Sequence, residues 1–114
     1  MSNKLENRTR DPDKPVLQLC RDLIRKIVPE STVILYGSRA RGDADPESDY
    51  DLLVLVKGRV NWQLEERIRE ELYPLELEAG IAVSLVVFSE EDWNAPLYRA
   101  MPFSRNVRQE GIIL

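Results

Sequence analysis

Three short apolar runs constrain the fold of this chain most strongly. They are TVILY (32–36), YDLLVLV (50–56) and IAVSLVVF (81–88), and all are rich in β-branched or aromatic residues. Such runs are typical of buried β-strands, because branched and aromatic side chains pack well on a pleated surface. Helical patterns lie before, between and after these strands, so the sequence predicts a small α/β (α+β) protein in which helices pack on a sheet.

Residues 15–28 show the apolar spacing of an amphipathic helix. Asp13 is predicted to cap this helix, and Pro29 to end it. Its apolar face comprises Val16, Leu19, Cys20, Leu23, Ile24 and Ile27. Cys20 is the only cysteine of the chain, which rules out a disulfide within it and fits a reducing cytosol. We interpret Cys20 as a small core residue.

Residues 61–73 predict a second helix, with Asn61 as its cap. Pro74 either ends this helix or kinks it, in which case residues 75–79 continue the helix. Gly80 is a predicted helix stop.

The C-terminal part of the chain predicts shorter elements. Ser89 is placed to cap a helix that starts with acidic residues, whereas residues 94–102 show no clear pattern. Residues 103–110 predict a short helix that Gly111 ends, and residues 112–114 predict an edge strand. The remaining large apolar residues are predicted to lie in the core rather than at an interface: Trp62, Trp93, Leu97, Tyr98 and Phe103.

The size and composition of the chain limit what it can do. Its 114 residues suffice for one domain, assigned to residues 15–114, and residues 1–14 predict a mobile polar tail without the apolar core of a signal peptide. No apolar run reaches the roughly 18 residues of a membrane span. The net charge of −4 disfavours binding to nucleic acid. The absence of histidine excludes a histidine base, a Ser-His-Asp triad and histidine-ligated zinc.

The connection between the first two strands, GSRARGDADPES, concentrates polar residues. Gly37 follows the first strand directly and lets the backbone turn sharply and approach a ligand. Residues 38–41 can then form a helical turn whose amides point at an anion, with Ser38 adding a hydroxyl group and Arg39 and Arg41 both lying in the same turn. Gly42 ends the turn. The pattern favours a phosphate-binding turn, although it lacks the lysine and the spacing of a P-loop.

Asp49 and Asp51 lie at positions i and i+2 at the entrance of the second strand. A strand projects such residues to the same side, so both carboxylates can reach one cation, and oxygen ligands of this kind suit Mg²⁺. Each element alone also fits a solvated turn or loop, which is how we interpret Asp43, Asp45 and Glu47. A phosphate-binding turn beside a metal-binding pair is what nucleotidyl transfer requires, and this combination favours a site.

Gly37-Ser38, ten intervening residues and Asp49-Tyr50-Asp51 resemble the signature of the polymerase β-like minimal nucleotidyltransferases. Across residues 16–114 the order of elements is similar to that of the small nucleotidyltransferase antitoxins. The resemblance implies a polymerase β-like nucleotidyltransferase fold in which Asp49 and Asp51 hold Mg²⁺. It also implies that Gly37 and Ser38 hold the β- and γ-phosphates of ATP, while Arg41 contacts phosphate or braces the loop.

In that family the protein is encoded beside a HEPN-domain ribonuclease toxin, which it binds, and some members transfer AMP from ATP to a tyrosine of the toxin. The resemblance therefore implies a cytoplasmic antitoxin, a protein partner that supplies the acceptor hydroxyl, and a hetero- or homo-oligomer. Transfer to a small molecule or to nucleic acid is a further alternative, which the chain length and the charge disfavour.

The sequence departs from the fuller catalytic pattern of the family at one position. That pattern has a third carboxylate on the next strand, and the matching residue here is Ser84. A serine hydroxyl is a poor base and a weak metal ligand. Three possibilities follow: a slow enzyme, an enzyme whose partner or substrate supplies the missing group, or an inactive antitoxin that neutralises its partner by binding alone.

Overall fold

The computed structural model describes residues 13–114, in which it contains four strands and six helices. The strands are β1 (Thr32–Tyr36), β2 (Tyr50–Val56), β3 (Val83–Ser89) and β4 (Ile112–Ile113). The helices are α1 (Lys14–Ile27), α2 (Ser38–Arg41), α3 (Trp62–Ala79), α4 (Glu90–Asn94), α5 (Pro96–Arg99) and α6 (Pro102–Glu110). The predicted tail lies outside the described residues, except that residues 13 and 14 belong to the folded part.

The four strands form one mixed sheet in the order β3-β2-β1-β4. β1 pairs antiparallel with β2, its neighbour in sequence, and on its other side with β4, which is the predicted edge strand. β2 and β3 pair in parallel, and α3 supplies the long crossover that a parallel pair needs. The predicted α/β class is therefore confirmed.

Helices cover both faces of the sheet. On one face, α1 and α3 pack on the strands through residues such as Ile24 and Ile68. On the other face, Trp93 of α4 and Val107 of α6 belong to one buried cluster with Leu53 of β2. Because successive residues of β2 point into opposite cores, this strand is buried on both faces. Among the helices of residues 13–114, none combines the length and the apolar composition that a membrane crossing needs.

Local signals define most helix ends. The side chain of Asn61 accepts a hydrogen bond from the Leu64 amide at 2.9 Å and so caps α3, as predicted. Gly80 ends α3 in the left-handed conformation, with φ of 68°. Pro74 does not end this helix, which runs through it to residue 79. The neighbouring Leu72 is buried in the core, and this packing keeps the helix in place despite the proline.

Asp13 occupies the N-cap position of α1, but its side chain does not cap the helix, so this prediction was wrong. Its carboxylate instead accepts a hydrogen bond from the Tyr50 hydroxyl at 2.8 Å and lies 3.5 Å from Nη1 of Arg39. A hydroxyl and a guanidinium together stabilise a buried carboxylate better than one helix amide does. Asp13 therefore connects the start of α1 to the loop that carries the polar cluster.

The expected burial of the remaining large apolar residues is only partly correct. Trp93 is 3% exposed, and Phe103 packs against its ring with centroids 6.0 Å apart. Tyr98 is partly buried and contacts Phe88. Trp62 and Leu97, in contrast, are 70% and 78% exposed, because they lie at the beginning of α3 and in the short α5 rather than against the sheet.

The burial of Tyr50 and its hydrogen bond to Asp13 make the free energy of unfolding depend on pH in the alkaline range. Burial, followed by the hydrogen bond to Asp13 and the charge of that residue, raises the pKa of Tyr50 from 10.0 to about 12. The folded chain thus holds the phenolic proton more tightly than the unfolded chain. This contribution to the free energy of unfolding is complete below pH 10 and is lost as the pH rises from 10 towards 12.

We expect Tyr50→Phe to lower the free energy of unfolding by about 1–2 kcal/mol at neutral pH, because it removes a hydrogen bond to a charged group. Its stability should also fall less steeply between pH 9 and pH 11.5 than that of the wild type. Urea titrations across this range measure both effects. Tyr73→Phe, which changes an exposed tyrosine of α3, is the control. Equal slopes for the two variants would contradict the prediction.

Candidate active site

Asp51 lies in the middle of a row of three residues that crosses the sheet. It pairs in register with Tyr36 of β1 and with Ser84 of β3. Paired residues point to the same face of a sheet, and residue 53, two positions along β2, contacts the core under α4 and α6. The row therefore lies on that face, at the end of the sheet where β1 ends and β2 and β3 begin.

Gly37 brings the backbone against the Asp51 side chain. Its φ of 76° and ψ of −159° belong to a region that is essentially restricted to glycine. A Cβ atom at this position would collide with Oδ2 of Asp51. The backbone turn at residue 37 and the carboxylate at residue 51 thus share one small space that a side chain would fill.

The predicted helical turn after Gly37 is present as α2 and ends at Gly42, which has φ of 84°. The amides of Ala40 and Arg41 both donate to the Gly37 carbonyl, at 3.0 and 3.1 Å. The amides at the start of a helix generally have no carbonyl acceptor within it. Because residues 40 and 41 already donate to Gly37, the amides of residues 38 and 39 are the ones within α2 that are suited to an external anion. The turn that the sequence predicts to bind phosphate therefore offers fewer amides to an anion than the sequence alone indicates.

The charges of Asp49 and Asp51 interact. Asp49 is exposed just before β2, whereas Asp51 is partly buried. Burial raises the pKa of Asp51, and the negative charge of Asp49 raises it further, while the positive charge of Arg41 opposes both effects. The two carboxylates are thus near enough to repel each other. A cation between them would relieve this repulsion.

The two arginines of α2 have different surroundings. Arg39 donates hydrogen bonds to the carbonyls of Ser48, at 2.8 and 3.2 Å, and Pro46, at 3.0 Å. Its guanidinium carbon also lies 4.1 Å from the centre of the Tyr50 ring. These contacts fix the loop between α2 and β2. Arg41 is exposed instead, and its positive charge acts on Asp51, where it lowers the pKa of the carboxyl group.

Glu110 is a member of this cluster that the sequence did not reveal. Its Oε1 accepts a hydrogen bond from the Gly37 amide at 3.2 Å, and Nη1 of Arg41 donates to both of its carboxylate oxygens at 3.3 Å. The pairing of β4 with β1 explains this position. Leu35 pairs with Ile112, and extension of the same antiparallel register by two residues brings Glu110 opposite Gly37. The only sequence signal is an acidic residue shortly before a predicted edge strand.

The donor set fits a metal ion that takes few protein ligands. Within residues 13–114, no group of three or more acidic, cysteine or histidine side chains is arranged to hold a metal. Ser84 stands opposite Asp51, as expected for the residue that replaces the third carboxylate. The candidate ligands are therefore the two carboxylates of Asp49 and Asp51. Mg²⁺ suits such a set, because it binds through one or two carboxylates and completes its coordination with water and phosphate oxygens.

Comparison with known proteins identifies the family. The profile of the nucleotidyltransferase domain family matches residues 17–113, which is nearly all of the described structure. The chain belongs to this family. The glycine-serine turn and the two aspartates of the nucleotidyltransferase all lie within the matched segment.

Two relatives of this nucleotidyltransferase come from Methanocaldococcus jannaschii, and both carry the name "putative protein adenylyltransferase". The first is 37% identical over 82 residues, which cover 72% of this chain and 75% of the relative. The second is 38% identical over 58 residues, which cover 51% of this chain and 59% of the relative.

Two solved structures share the fold. One, described as a minimal nucleotidyltransferase, is 29% identical, has a TM-score of 0.54 and is matched over 96% of this chain and 95% of that chain. The other, described as a toxin-antitoxin with AMP-PNP, has a TM-score of 0.56 and is matched over 82% of this chain and 67% of that chain. At 21% identity this second likeness shows the fold alone. The predicted nucleotidyltransferase fold is confirmed.

Proposed function

We propose that this nucleotidyltransferase transfers AMP from ATP to a hydroxyl group of a partner protein, as the cytoplasmic antitoxin of a HEPN-type ribonuclease toxin. The close approach of Gly37 to Asp51 carries the proposal, because it joins the phosphate-binding turn to the carboxylate pair. Relatives named for protein adenylyltransfer support a protein as acceptor. The antitoxin role rests on the resemblance to the small nucleotidyltransferase antitoxins, and the fold is shared with a structure described as a toxin-antitoxin.

The residues then have distinct roles. Asp49 and Asp51 would hold Mg²⁺, while Gly37, Ser38 and Arg41 would hold the β- and γ-phosphates of ATP. When bound, Mg²⁺ supplies positive charge that neutralises the phosphates. The acceptor hydroxyl oxygen forms a bond to the α-phosphorus, the bond from that phosphorus to the bridging oxygen breaks, and pyrophosphate leaves. The hydroxyl proton passes to a base that the partner or the substrate provides, because Ser84 is a poor base.

Ser84 also favours a second candidate function. An antitoxin without the third carboxylate could neutralise its toxin by contact alone. In that case Asp49→Asn and Asp51→Asn would leave neutralisation of the toxin in cells intact. Loss of protection in these variants would count against the contact-only function.

Label transfer from ATP tests the proposed chemistry. The purified protein, its HEPN-type partner and Mg²⁺ are incubated with ATP labelled on either the α- or the γ-phosphate. We expect the partner to acquire the α-label and not the γ-label, because pyrophosphate is the leaving group. A partner labelled from the γ-phosphate, or one that acquires no label, would refute adenylyl transfer.

The missing carboxylate leads to a gain-of-function prediction. We expect Ser84→Asp to raise the rate of label transfer by about 10²-fold, the lower end of what a general base contributes. Position 84 is directly opposite Asp51, so a carboxylate there would enter the same row. Ser84→Asn is the matched control of equal size without basic character. If the two variants have the same rate, the base comes from elsewhere.

A further inference from the structure

The carboxylate of Glu110 is bound by two of the groups that the proposed function assigns to phosphate. It accepts hydrogen bonds from the Gly37 amide at 3.2 Å and from the Arg41 guanidinium at 3.3 Å. Carboxylate and phosphate oxygens are alternative acceptors for amide and guanidinium donors of this kind. A nucleotide phosphate and Glu110 therefore cannot both occupy these donors in the same way.

The backbone around Glu110 holds it in this position. Glu110 is the last residue of α6, and β4 pairs with β1 immediately afterwards. Gly111 lies tightly between these elements, where an added Cβ would be 2.8 Å from a methyl carbon of Ile34. The Glu110 side chain is only 19% exposed. Its occupation of the turn thus follows from the register of the sheet and not from a chance contact of a long surface side chain.

We propose that Glu110 occupies the position of a nucleotide phosphate oxygen and competes with ATP for Gly37 and Arg41, so that nucleotide binding has to turn its side chain away. This inference rests on the proposed function of the same site. The Glu110 carboxylate then acts as an internal competitor. It lowers the affinity for nucleotide because a triphosphate has to displace it from Gly37 and Arg41.

The alternative role for Glu110 is that of a third metal ligand. The carboxylate oxygens of Glu110 already accept from Gly37 and Arg41. In addition, no group of three acidic side chains in the described part of the chain is arranged for a metal ion. These observations favour competition with phosphate over metal binding. The two roles predict opposite effects when the charge is removed.

Nucleotide affinity distinguishes the two roles. The probe is α,β-methylene-ATP with Mg²⁺, whose α–β linkage adenylyl transfer cannot break, and calorimetry measures its dissociation constant. We expect Glu110→Gln to bind it about tenfold more tightly, a difference of about 1.4 kcal/mol, because one negative charge leaves the phosphate-binding turn. Glu110→Ala, which also empties the position, should bind at least as tightly. Adenosine, which lacks phosphate, should bind equally to all forms.

Two control variants separate the local effect from general ones. Glu66→Gln removes one exposed charge from α3, which packs on the other face of the sheet, and should leave the affinity unchanged. Asp43→Asn removes the other partner of Arg41 but leaves the Gly37 amide occupied, so it should have a smaller effect than Glu110→Gln. Thermal melts of each variant confirm folding, and the isosteric Glu110→Gln decides the question if Glu110→Ala is unstable.

The possible outcomes are distinct. Weaker nucleotide binding by Glu110→Gln, or equal tightening by Glu66→Gln, would overturn the inference while the proposed function stands. Tighter binding by Glu110→Gln without label transfer in any form would support the inference and refute adenylyl transfer. Failure of every form to bind the nucleotide would overturn both.

Discussion

Asp51→Asn should reduce the proposed transfer of AMP to the partner by about 10³-fold or more while the chain remains folded. The substitution preserves size but removes the charge of the carboxylate that the Gly37 backbone faces. Metal ions contribute several kcal/mol of transition-state stabilisation in phosphoryl chemistry, and each 1.4 kcal/mol is about a factor of ten in rate. The folded chain should become slightly more stable, because Asp51 carries a raised pKa from burial and from the charge of Asp49.

Asp45→Asn is the matched control for Asp51→Asn. Asp45 lies in the same polar loop, is exposed and loses the same charge on substitution. We expect its transfer rate to remain within about twofold of the wild type, as is usual for surface substitutions away from a site. Rates from α-labelled ATP and urea midpoints for both variants are the measurements. Transfer that survives in Asp51→Asn would exclude a metal-binding role for this carboxylate.

Gly37→Ala is expected to abolish transfer through a single added methyl group. The new Cβ would occupy the space of the Asp51 carboxylate, so the backbone turn or the carboxylate would have to move. Shifts of about 1 Å in a catalytic group typically cost about 10²-fold in rate. The glycine-restricted backbone conformation adds about 1–3 kcal/mol of strain. Loss of activity and loss of stability should therefore occur together.

Gly42→Ala is the matched control for this substitution. Gly42 also has a positive φ, of 84°, but an added Cβ would meet nothing within 4 Å. Gly42→Ala therefore introduces backbone strain of about 1 kcal/mol without the collision. We expect Gly42→Ala to lower stability modestly and to retain transfer. If the two variants lose activity equally, strain in the turn rather than contact with Asp51 is responsible.

The sequence predicted those features of the site that depend on neighbouring residues. The turn at Gly37 and the carboxylates of Asp49 and Asp51 lie within 15 residues of one another, and the strands on either side fix their relative position. The family pattern identified Ser84 as the residue at the position of the third carboxylate, and the structure pairs it with Asp51. Local chemistry and a known strand order were sufficient for these parts.

Features that depend on long-range pairing could not be predicted in this way. Glu110 reaches Gly37 only through the register of β4 against β1, which a two-residue strand does not encode locally. Asp13 has the residue type and spacing of a helix cap, yet Tyr50 and Arg39 compete successfully for its carboxylate. In both cases a partner far away in the sequence determines what the side chain does.

The short edge strand β4 has a consequence for the order in which the protein assembles. β1 gains its second neighbour only when the C-terminal segment docks, and that event also brings Glu110 to Gly37. A strand of two residues contributes few backbone hydrogen bonds, so it should open locally at a lower cost than the central strands. Local opening of β4 would free the Gly37 amide from Glu110 before the central strands open. Access of a ligand to the turn at Gly37 would therefore depend on this local opening.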